Sequence, residues 1–199
     1  MVHVNKRSGV KTKEKILNVA FQLADIFNLP FGQETFDHIF VCFTLEHLQH
    51  PAMALNCLRK VLKKDGSLTV IEGDHGSTYF YPDSIDAQKT VQCLVRIQAE
   101  MGGNSLIGRQ LYPLIKGARF EKVSVSPRMV YVDSSKPSRV EGFTKNTFIA
   151  MVKAVKEKAL LSNIIDEKTW IKGISDLNRT TEPDGTSCYT FFKGVGIKP

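Results

Sequence analysis

The sequence predicts an α/β protein built on a parallel sheet, and three observations carry that reading. Phe36–Phe43 (FDHIFVCF) ends in Ile39–Phe43, apolar at every position, the pattern of a central strand covered on both faces. Ser67–Ile71 (SLTVI) is a second run rich in β-branched residues. Between them Leu55, Leu58 and Leu62 recur at helical spacing. A helix joining two apolar strands implies a right-handed crossover and parallel pairing.

The remaining elements follow in order. Asn18–Leu23 (NVAFQL) alternates and predicts a short strand, and residues 24–35 form a loop around Pro30 and Gly32. Pro51 suits the first turn of the crossover helix, because its missing N–H costs nothing there. Lys63 and Lys64 suit the last turn, and Asp65-Gly66 breaks the helix. Residues 84–101 predict a helix with Val91, Leu94, Ile97 and Met101 on one face, ended by Gly102-Gly103. A shorter helix is expected over 106–117, with a kink or break at Pro113. Residues 120–132 predict a strand interrupted at Pro127. Amphipathic helices follow over 138–161 and 166–178, and Ser187–Val195 (SCYTFFKGV) is the closing strand.

Composition sets the bounds. A chain of 199 residues predicts one domain, 1–199. Its 42% hydrophobic and 24% charged residues exclude wholesale disorder. No apolar run approaches the ~20 residues of a membrane-spanning helix. Cys42, Cys57, Cys93 and Cys188 form no CxxC pair, which points to reduced thiols and a cytoplasmic setting rather than a zinc module. The net charge is +7, and within residues 1–20 Lys6, Arg7, Lys11, Lys13 and Lys15 against Glu14 give +4. That arm could bind phosphates. It carries no interleaved aromatics for base stacking, so a solvated face is the better reading and nucleic acid is not the expected partner.

In an open parallel sheet, ligands bind outside the carboxyl ends of the strands. Three segments lie there: Ala24-Asp25-Ile26, Phe43–His47 and Glu72–Gly76. The third is densest in polar groups, and Asp74 and His75 could do general-base work. The same residues also build turns, with His75 facing water. Glu46, His47 and His50 resemble a ligand set but lack the spacing of a two-histidine helix motif, so no metal is expected. No Gly-flanked serine elbow accompanies Asp74 and His75, which disfavours a hydrolase triad.

Three consecutive segments share one resemblance. ADIFNLPF at 24–31, FDHIFVCFTLEHL at 36–48 and LRKVLKKDGSLTVIE at 58–72 resemble the class I S-adenosylmethionine-dependent methyltransferases. Within that family the look is of the small-molecule branch that includes the ubiquinone and menaquinone C-methyltransferases. The resemblance is firm over residues 16–75 and weak afterwards. It implies a Rossmann-like methyltransferase sheet with an antiparallel C-terminal hairpin and capping helices, S-adenosylmethionine as cofactor and a small-molecule substrate. By position, Asp25 matches the acidic residue that hydrogen-bonds the adenine amino group, and Ile26 its apolar neighbour on the ring. Phe43, Thr44 and Leu45 match the residues flanking the sulfonium. Glu46 and His47 match positions facing cofactor or substrate, and His47, Asp74 and His75 are the catalytic candidates.

The family pattern opens with a strand, a Gly-rich turn, a helix and a second strand ending in an acidic residue. None of this has a match here: Gly9 is the only glycine before Asn18, and residues 11–17 resemble the tail of a later helix. The sheet is therefore expected to be N-terminally truncated, with a gap on the order of 10 Å where two strands would lie. Either 18–23 re-pairs with 36–43 or an edge stays open and favours a homodimer. The alternative to methyl transfer is a non-catalytic interaction module of the same fold, or a truncated product.

Overall fold

The computed structural model describes residues 18–199. The basic arm and the helix tail expected at 11–17 lie outside the described residues. Strand β1 (Phe36–Cys42) runs parallel to β2 (Leu62–Tyr81), with His38 opposite Ser67 and Cys42 opposite Ile71. Helix α1 (Pro51–Val61) makes the crossover and buries Ala54, Leu55, Leu58 and Val61. The parallel pair and its helical connection are as the sequence predicts.

The helix ends earlier than the lysines suggest. Leu62 is already extended and fully buried, paired opposite Phe36. Lys63 and Lys64 therefore belong to β2, where Lys63 Nζ meets the Asp37 carboxylate at 2.8 Å. Burying Leu62 outweighs the modest attraction of two cations to a helix end.

Strand β4 (Thr186–Ile197) pairs antiparallel with β2, and β3 (Glu121–Val132) pairs antiparallel with β4. The sheet order is β1-β2-β4-β3, with the closing antiparallel strand in the interior. Pro127 does not interrupt β3; it sits opposite Phe192 on an outer strand, where a missing N–H is tolerated.

The two sheet faces carry separate cores. Leu68 and Val70 pack against α1, the 3-10 turn Ile107–Gln110 and helix α3 (Leu111–Gly117). On the other face Tyr189 and Phe191 meet helix α2 (Ile85–Glu100), helix α5 (Glu167–Arg179) and the segment around Phe148. Adjacent Phe191 and Phe192 go to opposite cores, as strand alternation demands. Ser84 caps α2 by accepting the Ala87 N–H at 3.2 Å, and Asp166 caps α5 through Thr169 at 2.9 Å. A Cβ at Gly173 would overlap Thr90, so α5 lies directly on α2.

Four expectations need correction. Residues 18–23 form no strand: Val19, Phe21 and Leu23 are exposed, and the segment has no partner among the described residues. Strand β1 is an outer strand among the described residues, not a covered central one, and Phe40 is 57% exposed. Pro113 falls in the first turn of α3, where no intrahelical N–H is needed, and the expected helix divides two residues earlier, where the 3-10 turn gives way to α3 at Leu111. The helix expected over 138–161 is composite. An α-turn (Pro137–Arg139) leads into a π-helix (Val140–Ile149) and a short α-turn (Ala150–Lys153), and helix α4 (Lys156–Leu161) follows after a break. Thr147 Oγ1 donates to the Gly142 carbonyl five residues back, a bond suited to the wider π turn.

Candidate functional site

The carboxyl end of β1 turns sharply at Phe43, whose φ of 49° is left-handed. Such a turn strands the next amides, and one side chain takes both. Glu72 Oε1 accepts the Thr44 N–H at 3.0 Å and the Leu45 N–H at 2.8 Å. Leu45 and Glu72 are fully buried. The second oxygen, Glu72 Oε2, has no partner among the described residues. Burial pushes the Glu72 carboxyl above the usual range, against the pull of the two amide bonds.

The chain then makes a 3-10 turn, Leu45–His47. Glu46 is also buried, and burial raises its pKa, while the imidazole of His47 opposes the shift. His47 Nε2 lies 3.4 Å from Glu46 Oε1 and is otherwise exposed. His50 is exposed at the N-terminus of α1.

The third polar segment departs from expectation. Glu72, Asp74 and His75 do not lie in a strand-end loop; β2 continues through them to Tyr81, with a register shift between Asp74 and Thr78. All three are buried, so the water-facing turn reading of His75 is wrong. Asp74 and His75 do not form a carboxylate–imidazole pair either. Asp74 takes a two-pronged ion pair from Arg109, Nε to Oδ2 at 2.6 Å and Nη2 to Oδ1 at 2.7 Å. His75 Nδ1 lies 2.5 Å from the Tyr189 hydroxyl. Burial lowers the imidazole pKa to about 4 and raises that of the Tyr189 phenol, so both are neutral near pH 7.

Aromatic rings join these parts. Phe43 contacts Phe191 at 5.4 Å between centroids, Phe191 contacts Tyr189 at 4.7 Å, and Tyr189 contacts His75 at 5.7 Å. Phe143, from the π-helix, packs on Tyr189 at 5.7 Å and Phe191 at 6.0 Å. A row of rings thus runs from the end of β1 to His75. Beyond His75 lies a groove of about 990 Å³ between β2, α2 and the start of α5, bounded by Tyr79, Phe80, Gln92, Arg96 and Thr169.

The structure gathers Phe43, Thr44 and Leu45 around Glu72. Ile26 is half-buried against the core cluster that contains Leu45. Asp25 is exposed and its Oδ1 accepts the Phe27 N–H at 2.9 Å. Sequence reasoning missed Arg109 and Tyr189. The alternation of Tyr189 and Phe191 within SCYTFFKGV was a usable signal for one buried face; nothing near Arg109 marks its partner, 35 residues away.

A parallel strand pair with a helical crossover and an antiparallel closing strand is the arrangement that the methyltransferase resemblance implies. The comparisons bear out the resemblance. Residues 1–70 match the family described as a methyltransferase domain. An uncharacterized methyltransferase of Schizosaccharomyces pombe is 38% identical over 99 residues, covering 50% of this chain and 35% of that protein. The ubiquinone/menaquinone biosynthesis C-methyltransferase of Cellvibrio japonicus is 40% identical over 55 residues, 28% of this chain and 22% of its own length. The chain thus spans well under half the length of the curated relatives it matches.

Solved structures agree on the fold. The YcgJ protein of Bacillus subtilis superposes with a TM-score of 0.58 at 17% identity, covering 98% of this chain and 77% of that one. A phosphoethanolamine N-methyltransferase of Haemonchus contortus, solved with phosphomonomethylethanolamine and S-adenosylhomocysteine, gives 0.51 at 14% identity, over 96% of this chain and 40% of that one. Among the described residues no helix is long and apolar enough to cross a membrane.

Proposed function

We propose that this chain serves S-adenosylmethionine-dependent methyl transfer to a small molecule. The observation that carries the reading is the loop Phe43–Glu46 at the end of β1, held open by Glu72 through two amide hydrogen bonds. Its chemistry suits a cationic sulfonium: an aromatic face at Phe43, 45% exposed, on a loop whose shape Glu72 sets from within the core. Asp25 and Ile26 fit the adenine end, the first by its exposed carboxylate and the second by its apolar side chain. Among the described residues no Gly-rich turn precedes β1 to approach the rest of the cofactor. When bound, the cofactor supplies the methyl group as a sulfonium that leaves as a neutral thioether. The chain's own residues bind, orient and exclude water, which is most of what an in-line displacement needs.

Isothermal calorimetry of S-adenosylmethionine against the 199-residue chain tests the reading. Micromolar binding is expected. Asp25→Ala should weaken it about tenfold, the worth of a hydrogen bond to a charged group. Unmeasurable binding by a well-folded chain overturns the cofactor site.

A second reading, an interaction module, is favoured by one observation. Val19, Phe21, Leu23 and Phe40 are exposed, and Phe40 stands on an outer strand. A second copy could cover that strand, giving a homodimer.

A further inference from the structure

We propose that the groove between the open edge of β2 and helix α2 docks an extended, neutral or acidic peptide segment of another protein, which adds to β2 as a further strand. The groove is separate from the loop after β1, and the proposal does not depend on methyl transfer.

The first argument is the backbone of β2. Strand β1 accompanies it only as far as Ile71, opposite Cys42. Further on, the His75 N–H donates to the Ser105 carbonyl at 2.9 Å. Beyond that point Thr78–Tyr81 pair with Thr186–Tyr189 of β4 on one side only. An antiparallel strand turns every second N–H and C=O away from its partner. Among the described residues, no backbone N–H or C=O of residues 77–81 bonds a group outside the β2–β4 pair. Such an edge is a template for another strand. The outer strand β3 carries Lys122, Pro127 and Arg128, which discourage pairing. Residues 77–81 (STYFY) carry neither charge nor proline and are rich in strand-forming side chains.

The second argument is the course of the groove. Paired residues share a face, so Thr78 and Phe80 lie on the side of Tyr189 and Ser187, and Tyr79 lies on the other. All three border the groove. A space over one face would meet only alternate residues, so this one follows the edge. The facing wall is one side of α2, with Ile85, Gln88, Gln92, Arg96 and Ala99 at helical spacing. The 16 residues of α2 span about 24 Å, against about 17 Å for the open edge, so the helix walls its whole length. A strand edge facing a helix is a setting for strand addition: main-chain bonds supply affinity, and the facing wall reads side chains. Tyr79, 66% exposed, and Ile85, 71% exposed, offer apolar contact there.

The third argument is charge. Lys89 and Arg96 border the groove against Asp166, two cations to one carboxylate. The partners of the cations, Asp86 at 3.8 Å and Glu100 at 3.3 Å, lie on α2 outside the groove lining. Exposed pairs of this kind are weak, so both cations can turn to a carboxylate on a docked segment. Asp166 is already committed to capping α5, accepting the Thr169 N–H at 2.9 Å and its hydroxyl at 2.6 Å. A basic segment is therefore disfavoured.

The test titrates the blocked peptide acetyl-Thr-Val-Glu-Val-Thr-amide into the isotope-labelled full chain and follows it by NMR. Saturable shifts are expected at Thr78, Tyr79, Phe80, Gln88 and Gln92, and alternate amides between Ser77 and Tyr81 should exchange with solvent about fivefold more slowly. Two N-methylated forms of the peptide are compared, one blocked at both valine amides and one at the remaining residue amides. A strand bonds its neighbour through one edge, so one form should bind like the parent and the other about twentyfold more weakly, at roughly fivefold per hydrogen bond. Lysine in place of the peptide's glutamate should weaken binding about threefold, and Arg96→Gln should shrink that preference. Gln92→Trp, at an exposed position, should abolish binding by filling the groove. The N-methylated pair is read on the unaltered chain and decides even where a variant misfolds. Equal effects of the two methylation patterns, no saturable shift at millimolar peptide, shifts elsewhere on the chain, or tighter binding of the lysine form overturn the proposal. Slowed exchange at 77–81 that grows with protein concentration alone would make a second copy of the chain the occupant, which also overturns it.

Discussion

Glu72 holds the amide of Leu45 at 2.8 Å across the parallel pair, and so ties the carboxyl end of β1 to the middle of β2. The same oxygen takes the Thr44 amide, so one buried carboxyl sets the shape of the loop that would face the cofactor.

Replacing that carboxyl tests its structural share. Glu72→Ala leaves the buried Leu45 N–H and its neighbour without an acceptor, at a cost of about 2–3 kcal/mol. Glu72→Gln keeps an acceptor and should cost about 1 kcal/mol or less. Urea denaturation of the three proteins gives the order directly. Equal stability of all three would mean that water replaces the carboxyl without loss.

Arg109 poses a different case. Its partner Asp74 is wholly buried, while the guanidinium is about half exposed. Removing one member of a fully buried pair costs about 3–5 kcal/mol, and solvent at Arg109 should reduce this to about 2 kcal/mol for Arg109→Ala. Arg109→Lys restores the charge but not the two-pronged geometry, and should recover about half. Thermal melts of both variants check this ranking.

His75 makes stability depend on pH in a stated direction. Its folded pKa of about 4 lies below the ordinary 6.5, so the unfolded chain binds more protons between these values. Its contribution is complete above pH 6.5 and is lost as pH falls toward 4, amounting to on the order of 3 kcal/mol. Glu46 and Glu72 act the other way. Their raised pKa values give stability that is present below the ordinary carboxylate range and lost as pH rises through the folded values. The His75 share is therefore isolated by difference. Wild type minus His75→Asn, by denaturation at pH 4.5, 5.5, 6.5 and 7.5, should rise with pH and level off near 6.5. A difference independent of pH would contradict a neutral, buried imidazole.

Phe40 tests the outer strand. Sedimentation of the unaltered chain should show a dimer if a second copy covers β1, and Phe40→Lys should shift it to monomer by placing a charge on the strand. A monomer in both would remove the interaction surface.

The local pattern of residues determined much of this protein. The apolar run at Ile39–Val41, the leucine stripe of α1 and the β-branched run at 67–71 specify a parallel pair, because period and polarity are properties of neighbouring residues. The same neighbourhood placed Phe43, Thr44 and Leu45 at a strand end, where the structure finds them. What the sequence could not determine depends on partners far along the chain. Residues 18–23 alternate like a strand, yet a strand exists only where another offers it hydrogen bonds. Asp74 and His75 are neighbours in sequence, but their side chains reach opposite ways, to Arg109 and to Tyr189, 35 and 114 residues off. The burial of His75, and with it the shift of its pKa, depends on the sheet order that puts β4 and its Tyr189 beside β2. Desolvation is a property of what surrounds a group, and only the tertiary fold supplies the surroundings.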